Sequence, residues 1–270
     1  MLKYLLCLCI VGICVDSLAQ DSVCVKLTKP FSKGEVVYYR AYYNWKFIWL
    51  NAGDVLFAVK DTVYKNQPAY HFTSRGWSLK EYDWFFKVRD HFEAIVSKNS
   101  FKPLWFLRDT YEGGFRTYNR YEFDYASNQV KILSYTSNRP YREEFKKLSP
   151  CTYDVLSAIY RCRAIDFNQY KPGVTIPLSM LVDNDLFNLF IRYHGRENLK
   201  LRDGSSHNTI KFSVMLVEGT IFKGGEDMTI WVSDDEYKIP IMVEAKILVG
   251  SVKAIIDNNR HINSEIDFLW

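Results

Sequence analysis

The chain has 270 residues and a formal net charge of +4, with acidic and basic residues interspersed. That length can bury one or two cores without covalent staples, and the balanced charge argues against nucleic acid as the partner. Aromatic residues make up 16% of the chain, and they fall mostly in strand-like segments, where flat side chains pack well on a pleated surface, so composition favours β-structure.

Met1, Leu2 and Lys3 precede an apolar stretch from Tyr4 to Val15 and then Ser17-Leu18-Ala19. This is the layout of a secretory signal peptide, and the apolar run is short of the roughly 20 residues a membrane-spanning helix requires. The reading predicts cleavage near Ala19, a lead segment over 20–33, and a product exported to a bacterial periplasm. Net charge is unchanged by cleavage, because Lys3 and Asp16 leave together. Cys7, Cys9 and Cys14 lack the Leu-x-Gly/Ala context of a lipoprotein processing site, so no lipid anchor is expected. No later stretch is long and apolar enough for a transmembrane helix.

One mainly-β domain is predicted over 34–257. Its first part reads as strands over Val36–Trp45, Asp54–Asp61, Ala69–Trp77, Phe85–Val96, Leu104–Tyr111, Arg116–Tyr125 and Gln129–Tyr135. Turn chemistry separates them at Asn51-Ala52-Gly53, Lys65-Asn66-Gln67-Pro68, Lys98-Asn99-Ser100, Glu112-Gly113-Gly114 and Ser127-Asn128. Val55, Phe57 and Val59 alternate with Asp54, Leu56, Ala58 and Lys60, the period-two signal of a strand.

Ser149-Pro150-Cys151-Thr152 then introduces a helix over about 152–166, with Val155, Leu156, Ile159, Tyr160 and Cys162 at helical spacing and Arg161 and Arg163 near its C-terminus. Three cysteines, Cys24, Cys151 and Cys162, follow the leader, and an odd number cannot pair completely within one molecule. On one helix Cys151 and Cys162 would lie about 16 Å apart, beyond the roughly 7 Å a disulfide tolerates. They are predicted not to be bridged, and free cysteines are expected.

Strands resume over Thr175–Val182, Leu186–Gly195, Thr209–Val217, Asp227–Ser233, Ile239–Val249 and Ser251–Asp257, and a polar tail runs from Asn258. So many strands with tight reversals around one helix predict a strongly curved antiparallel sheet or part-closed barrel with the helix packed on it. A two-sheet β-sandwich is the alternative.

No nucleophile elbow, zinc-protease motif or phosphate loop is present, so the sequence leans against an enzyme and calls for no cofactor. Histidines 71, 91, 194, 207 and 261 lack the local spacing of zinc ligands, and no metal site is predicted. Asp183-Asn184-Asp185 and Asp234-Asp235-Glu236 read as turns rather than cation loops. The candidate ligand-binding residues are Trp77, Tyr82, Trp84 and Phe86, which with Phe85 concentrate apolar surface near a reversal. Arg89, His91 and Glu93 join them, because alternation places these three on one strand face. The plain alternative is an aromatic seal and a solvated strand face.

Several short motifs in a fixed order resemble a known family. They are Gly34-Glu35-x-x-x-Tyr39, Asn51-Ala52-Gly53, Phe101-x-Pro103, Asp154-Val155-Leu156-Ser157-Ala158-Ile159-Tyr160-x-x-Arg163, Trp231-x-Ser233-Asp234-Asp235, Pro240 and Gly250-Ser251. Together they resemble the exported bacterial family called domain of unknown function 3108, from about Gly34 to Ile256. The resemblance implies an envelope protein and confers no catalytic residues. A looser likeness to periplasmic lipoprotein carriers implies an apolar cavity between sheet and helix. Three functions follow as expectations: binding of a hydrophobic or lipid-like ligand or a protein segment in a cleft of the sheet, a structural or interaction module docking another envelope protein, or an envelope-polymer hydrolase using Glu93, Asp90 or Asp234.

Overall fold

A computed structural model describes residue 31 and residues 34–46, 48–216, 225–247 and 250–258. The leader, Cys24, most of the lead segment and all but the first residue of the C-terminal tail lie outside these.

Among the described residues fifteen strands form one curved open sheet. They are β1 (Val36–Trp45), β2 (Ile48–Tyr64), β3 (Gln67–Ser78), β4 (Val88–Ser97), β5 (Pro103–Glu112), β6 (Phe115–Asp124), β7 (Gln129–Thr136), β8 (Arg139–Lys147), β9 (Thr152–Tyr153), β10 (Thr175–Val182), β11 (Asp185–Lys200), β12 (Ser206–Leu216), β13 (Gly225–Ser233), β14 (Pro240–Lys246) and β15 (Ser251–Ile256). Their order is β8 through β1, then β15 down to β9. Two meanders are thus joined where β1 pairs antiparallel with β15. The only parallel pair among the described residues is β9 with β10. The curved-sheet expectation holds and the sandwich does not.

Local chemistry explains where observed elements depart from the predicted ones. Asn51-Ala52-Gly53 is no turn: Gly53 pairs with Ala41 and Asn51 with Tyr42, so Ala52 is the extra residue of a bulge within β2. Glycine is required there, since a Cβ on Gly53 would fall 2.2 Å from the Trp77 carbonyl oxygen. Strand β4 starts at Val88 rather than Phe85, because a short helix, α1 (Asp83–Phe86), intervenes. The charged β8 has no clear apolar alternation, yet it pairs along β7. As an edge strand it suits its place, its charges opposing further pairing. The other edge, β9, has only two residues.

The long helix, α2, covers Val155–Arg163 rather than 152–166. Thr152 and Tyr153 are taken by β9, and the cap is Asp154, whose Oδ1 accepts from the Ser157 amide at 2.8 Å. Asp154 is fully buried, and burial raises its carboxyl to about 6. Leu156, Ala158, Tyr160 and Cys162 of α2 enter one core with Phe72, Ala94, Phe106, Tyr121 and Ile132 from the first meander and Ile176, Ile191, Phe212 and Val232 from the second. Tyr160 stacks on Phe72 with ring centroids 3.8 Å apart. Arg163 is buried too, forked onto Glu35 at 2.6 and 2.9 Å and donating to the Tyr237 carbonyl, which ties α2 to the starts of both β1 and β14.

Cys162 is free and buried, and burial raises its thiol to about 12. It is not bridged to Cys151, as predicted. Cys151 is itself disulfide-bonded, which leaves Cys162 as the free cysteine among the described residues.

Candidate functional site

Strand register sorts the concave face of β3–β8 into rows. One row, Phe72, Ala94, Phe106, Tyr121 and Ile132, is apolar from β3 to β7, ends on Glu144 of β8, and meets α2. The next, Ser74, Phe92, Arg108, Asn119, Ser134 and Arg142, is mixed, and the third, Gly76, Asp90, Thr110, Thr117 and Thr136, carries no large apolar side chain. The concave face therefore has a helix end, filled by α2, and a polar end.

The tip of the β10–β11 hairpin latches across the mixed row. Asp183 and Asn184 both have positive φ, 48° and 70°, as a two-residue hairpin turn demands. Arg108 donates to Asp183 at 2.7 Å, Asn119 to Asn184 at 2.9 Å, Asn184 to Ser134 Oγ at 2.9 Å, and Lys146 on β8 pairs with Asp185. Asp183-Asn184-Asp185 is thus a turn, as read, and its side chains draw the two meanders together. In the third row, burial and then the nearby Glu112 raise the Asp90 carboxyl to about 7, against an opposing pull from Arg108. Asp90 Oδ1, Arg108 Nε and Asn119 Oδ1 are buried without a hydrogen-bond partner.

Beyond the polar rows lies a rim made by the β3–β4 connection and the β5–β6 and β7–β8 turns. The three are tied side by side: Gly113 N donates to the Lys87 carbonyl at 2.9 Å, and Ser137 N to that of Arg116 at 2.9 Å. On the β3–β4 connection a 3-10 turn (Lys80–Tyr82) runs into α1. Asp83 pins this connection, accepting from Ser78 Oγ at 2.6 Å and from Arg89 at 2.6 and 3.1 Å, while Ser78 Oγ accepts from Val88 N at 2.9 Å. The Arg89 and Ser78 bonds hold the Asp83 carboxyl below its ordinary range. Phe86 lies on Gly113, where a Cβ would come within 2.3 Å of its ring. From this base Trp84 is 85% exposed and Phe85 77%. Phe115 and Tyr141 add exposed aromatic surface nearby.

A model for the family described as "Protein of unknown function (DUF3108)" matches residues 38–257. The chain belongs to this family. No curated protein matches it in sequence. Among solved structures, it is similar to a β-barrel-like protein of domain of unknown function 1849 from Brucella abortus. That match has a TM-score of 0.53 and 7% identity, covering 82% of this chain and 94% of that one, and it supports the fold alone. A protein from Bacteroides fragilis with a YmcC-like fold, described as exported, covers 86% of this chain and 100% of its own at 8% identity. Its TM-score of 0.30 carries no argument.

In this DUF3108 protein the candidate residues named from sequence fall in two places. Tyr82, Trp84 and Phe86 sit on the rim with Arg89 as their anchor, and Trp77 is half-buried on the convex face, opposite Arg89 and Asp54 in register. His91 and Glu93 also lie on the convex face, where their histidine partner is one that local spacing did not suggest. His71 Nε2 lies 2.7 Å from Glu93 Oε2, and His91 Nε2 lies 2.6 Å from Oε1. These two hydrogen bonds hold the Glu93 carboxyl well below the usual range. His71 and Glu93 are two register positions apart diagonally across β3 and β4, a proximity visible only once the strands are paired.

Elsewhere, Asp234 pairs with Arg196 at 2.8 Å, and Asp235 accepts from Ser233 Oγ and the amides of Tyr237 and Lys238. Both serve a turn, as read. A cavity of about 490 Å³ lies on the convex face near Trp49, Leu201 and Ile255. At this cavity Arg40 pairs with Asp257 at 2.8 Å, and Arg202 and Lys253 lie against the Trp49 ring. Among the described residues no helix is long and apolar enough to cross a membrane, and no cluster of metal-ligating side chains is found.

Proposed function

We propose that this family member is a non-catalytic contact module of the bacterial envelope, exported with cleavage near Ala19 to the periplasm, which docks through the aromatic knob of its rim. The observation that carries this reading is the exposure of Trp84 and Phe85 on a connection fixed by Asp83, Ser78 and Arg89. Large exposed aromatics clustered on a monomer's surface mark contact sites. A connection merely joining two strands has no need of them, and the neighbouring β5–β6 and β7–β8 turns use two residues each, Gly113-Gly114 and Ser137-Asn138.

The cleft reading, in which the curved sheet holds a hydrophobic ligand or a protein segment, has weaker support. The apolar row of the concave face is packed against α2, and of the two rows beyond it one is mixed and the other carries no large apolar side chain, which suits a lipid chain poorly. The hydrolase reading loses its named pairs, since Asp90 and Glu93 project from opposite faces of β4 and Asp234 is committed to Arg196.

A photo-crosslinking residue in place of Phe85, activated in cells exporting the chain, tests the docking reading. Adducts at position 85 that disappear when the same residue replaces exposed Val63, at the far end of the sheet, support it. Equal labelling from both positions would refute it. N-terminal sequencing of the mature chain tests cleavage near Ala19.

A further inference from the structure

The occupant of the knob can be read from its shape and charge. Trp84 and Phe85 protrude from α1 at 85% and 77% exposure, and no residue of this short helix is buried. A rigid protein partner would have to offer a matching pocket, whereas a deformable apolar medium accepts such a tip without one. Tyr82 and Trp84 are the amphipathic aromatics that settle at membrane–water boundaries, a ring in the apolar layer and a polar edge in the headgroups.

Charge points the same way. Asp83 is matched by Arg89 and Asp109 by Arg116. Lys80, Lys87 and Arg139 remain exposed on the rim against Glu81 and Glu112, a surplus of one positive charge. Lys80 and Lys87 bracket the aromatics in sequence, and long basic side chains reach phosphates while their stems lie on apolar surface. The concave polar end has three orphan atoms, but they face in both donor and acceptor senses and define no single ligand.

We propose that the knob rests on a lipid surface bearing anionic headgroups, with Trp84 and Phe85 entering the boundary between headgroups and acyl chains and Lys80 and Lys87 facing phosphates. This rests on the docking reading and names its partner. Binding of this type draws on buried apolar area and on attraction to anionic lipid together, so each contribution can be removed separately.

The test is co-sedimentation of the purified chain with vesicles of phosphatidylethanolamine and phosphatidylglycerol at 3:1, against vesicles of phosphatidylcholine alone. Partitioning into the anionic vesicles should exceed that into phosphatidylcholine at least fivefold and fall as salt rises. Trp84→Ala with Phe85→Ala should lower it about tenfold, and Lys80→Gln with Lys87→Gln should remove most of the salt dependence, with circular dichroism confirming that both variants are folded. Equal partitioning into both vesicle types, or folded variants indistinguishable from the parent, would overturn the proposal. The crosslink at position 85 separates the two readings: a lipid adduct supports both, a protein adduct overturns the lipid surface while leaving docking intact, and no adduct overturns both.

Discussion

At the helix end of the first meander Phe72 stacks on Tyr160 at 3.8 Å and both are fully buried, whereas at the rim end Trp84 and Phe85 stand almost free of protein. The same half-sheet therefore treats the same class of side chain in opposite ways. At the helix end aromatic area drives folding, each buried ring contributing roughly 2 to 3 kcal/mol. At the rim that contribution is withheld, although the half-buried Asp83–Arg89 pair could have anchored a shorter turn equally well. Large side chains held rigidly where they add nothing to the core belong to contact rather than to stability.

The largest effect is expected where the contrast is sharpest. Tyr160→Ala should destabilise the chain by roughly 3 to 5 kcal/mol, the usual range for emptying an aromatic site, while Tyr160→Phe, which loses only a 3.4 Å contact to the Ala58 carbonyl, should cost less than about 1 kcal/mol. Urea denaturation measures both. A loss under about 1 kcal/mol for the alanine variant would mean that α2 does not fill the sheet.

The buried fork at the end of α2 comes next. Arg163→Ala leaves the Glu35 carboxylate buried without its guanidinium and should cost about 3 kcal/mol. Arg163→Met combined with Glu35→Leu should recover most of that, since an apolar pair of similar volume avoids the desolvation of both charges. If the double variant is no more stable than Arg163→Ala in the same denaturation assay, the cost lies in packing on Tyr160 rather than in the unpaired charge.

Asp90 sharpens the contrast by pH. Its folded carboxyl titrates at about 7 against an ordinary 3.8, so between these values the folded state binds more protons than the unfolded, and stability falls as pH rises through the window. Asp90→Asn should abolish this dependence and stabilise the chain at pH 8 by roughly 2 to 4 kcal/mol, the upper figure being the full shift at about 1.4 kcal/mol per pH unit. At pH 4 parent and variant should agree. A parent whose melting temperature rises from pH 5 to 8 relative to the variant would contradict this.

How far these regions could be read from sequence depended on whether their signal was local. The curved sheet and the helix were legible because the alternation in β2 and the spacing of Leu156, Tyr160 and Cys162 are properties of single segments. Strand β8 was not, because its charged residues suit an edge and carry no clear apolar period. Helix α1 was hidden by the strand propensity of Trp84, Phe85 and Phe86, which the Asp83–Arg89 pair overrides. Within the site, the aromatic cluster was visible, and so was the shared face of His91 and Glu93. The third member, His71, was not, since it reaches Glu93 only through β3–β4 register.

The smallest effect on stability is expected at the knob, and that is what makes it informative. Trp84→Ala with Phe85→Ala should change unfolding free energy by no more than about 0.5 kcal/mol, as for surface positions free of packing, because neither side chain contributes to the core. Phe86→Ala should cost more, about 1 kcal/mol, since its ring lies against Gly113 and it is only half exposed. The same double variant should nevertheless lose crosslinking and vesicle partitioning. A change in stability above about 2 kcal/mol would place Trp84 and Phe85 with the core aromatics and remove the contrast between the two ends. A neutral change in stability accompanied by lost contact would establish it, because only a side chain kept outside the core can be removed without the fold registering it.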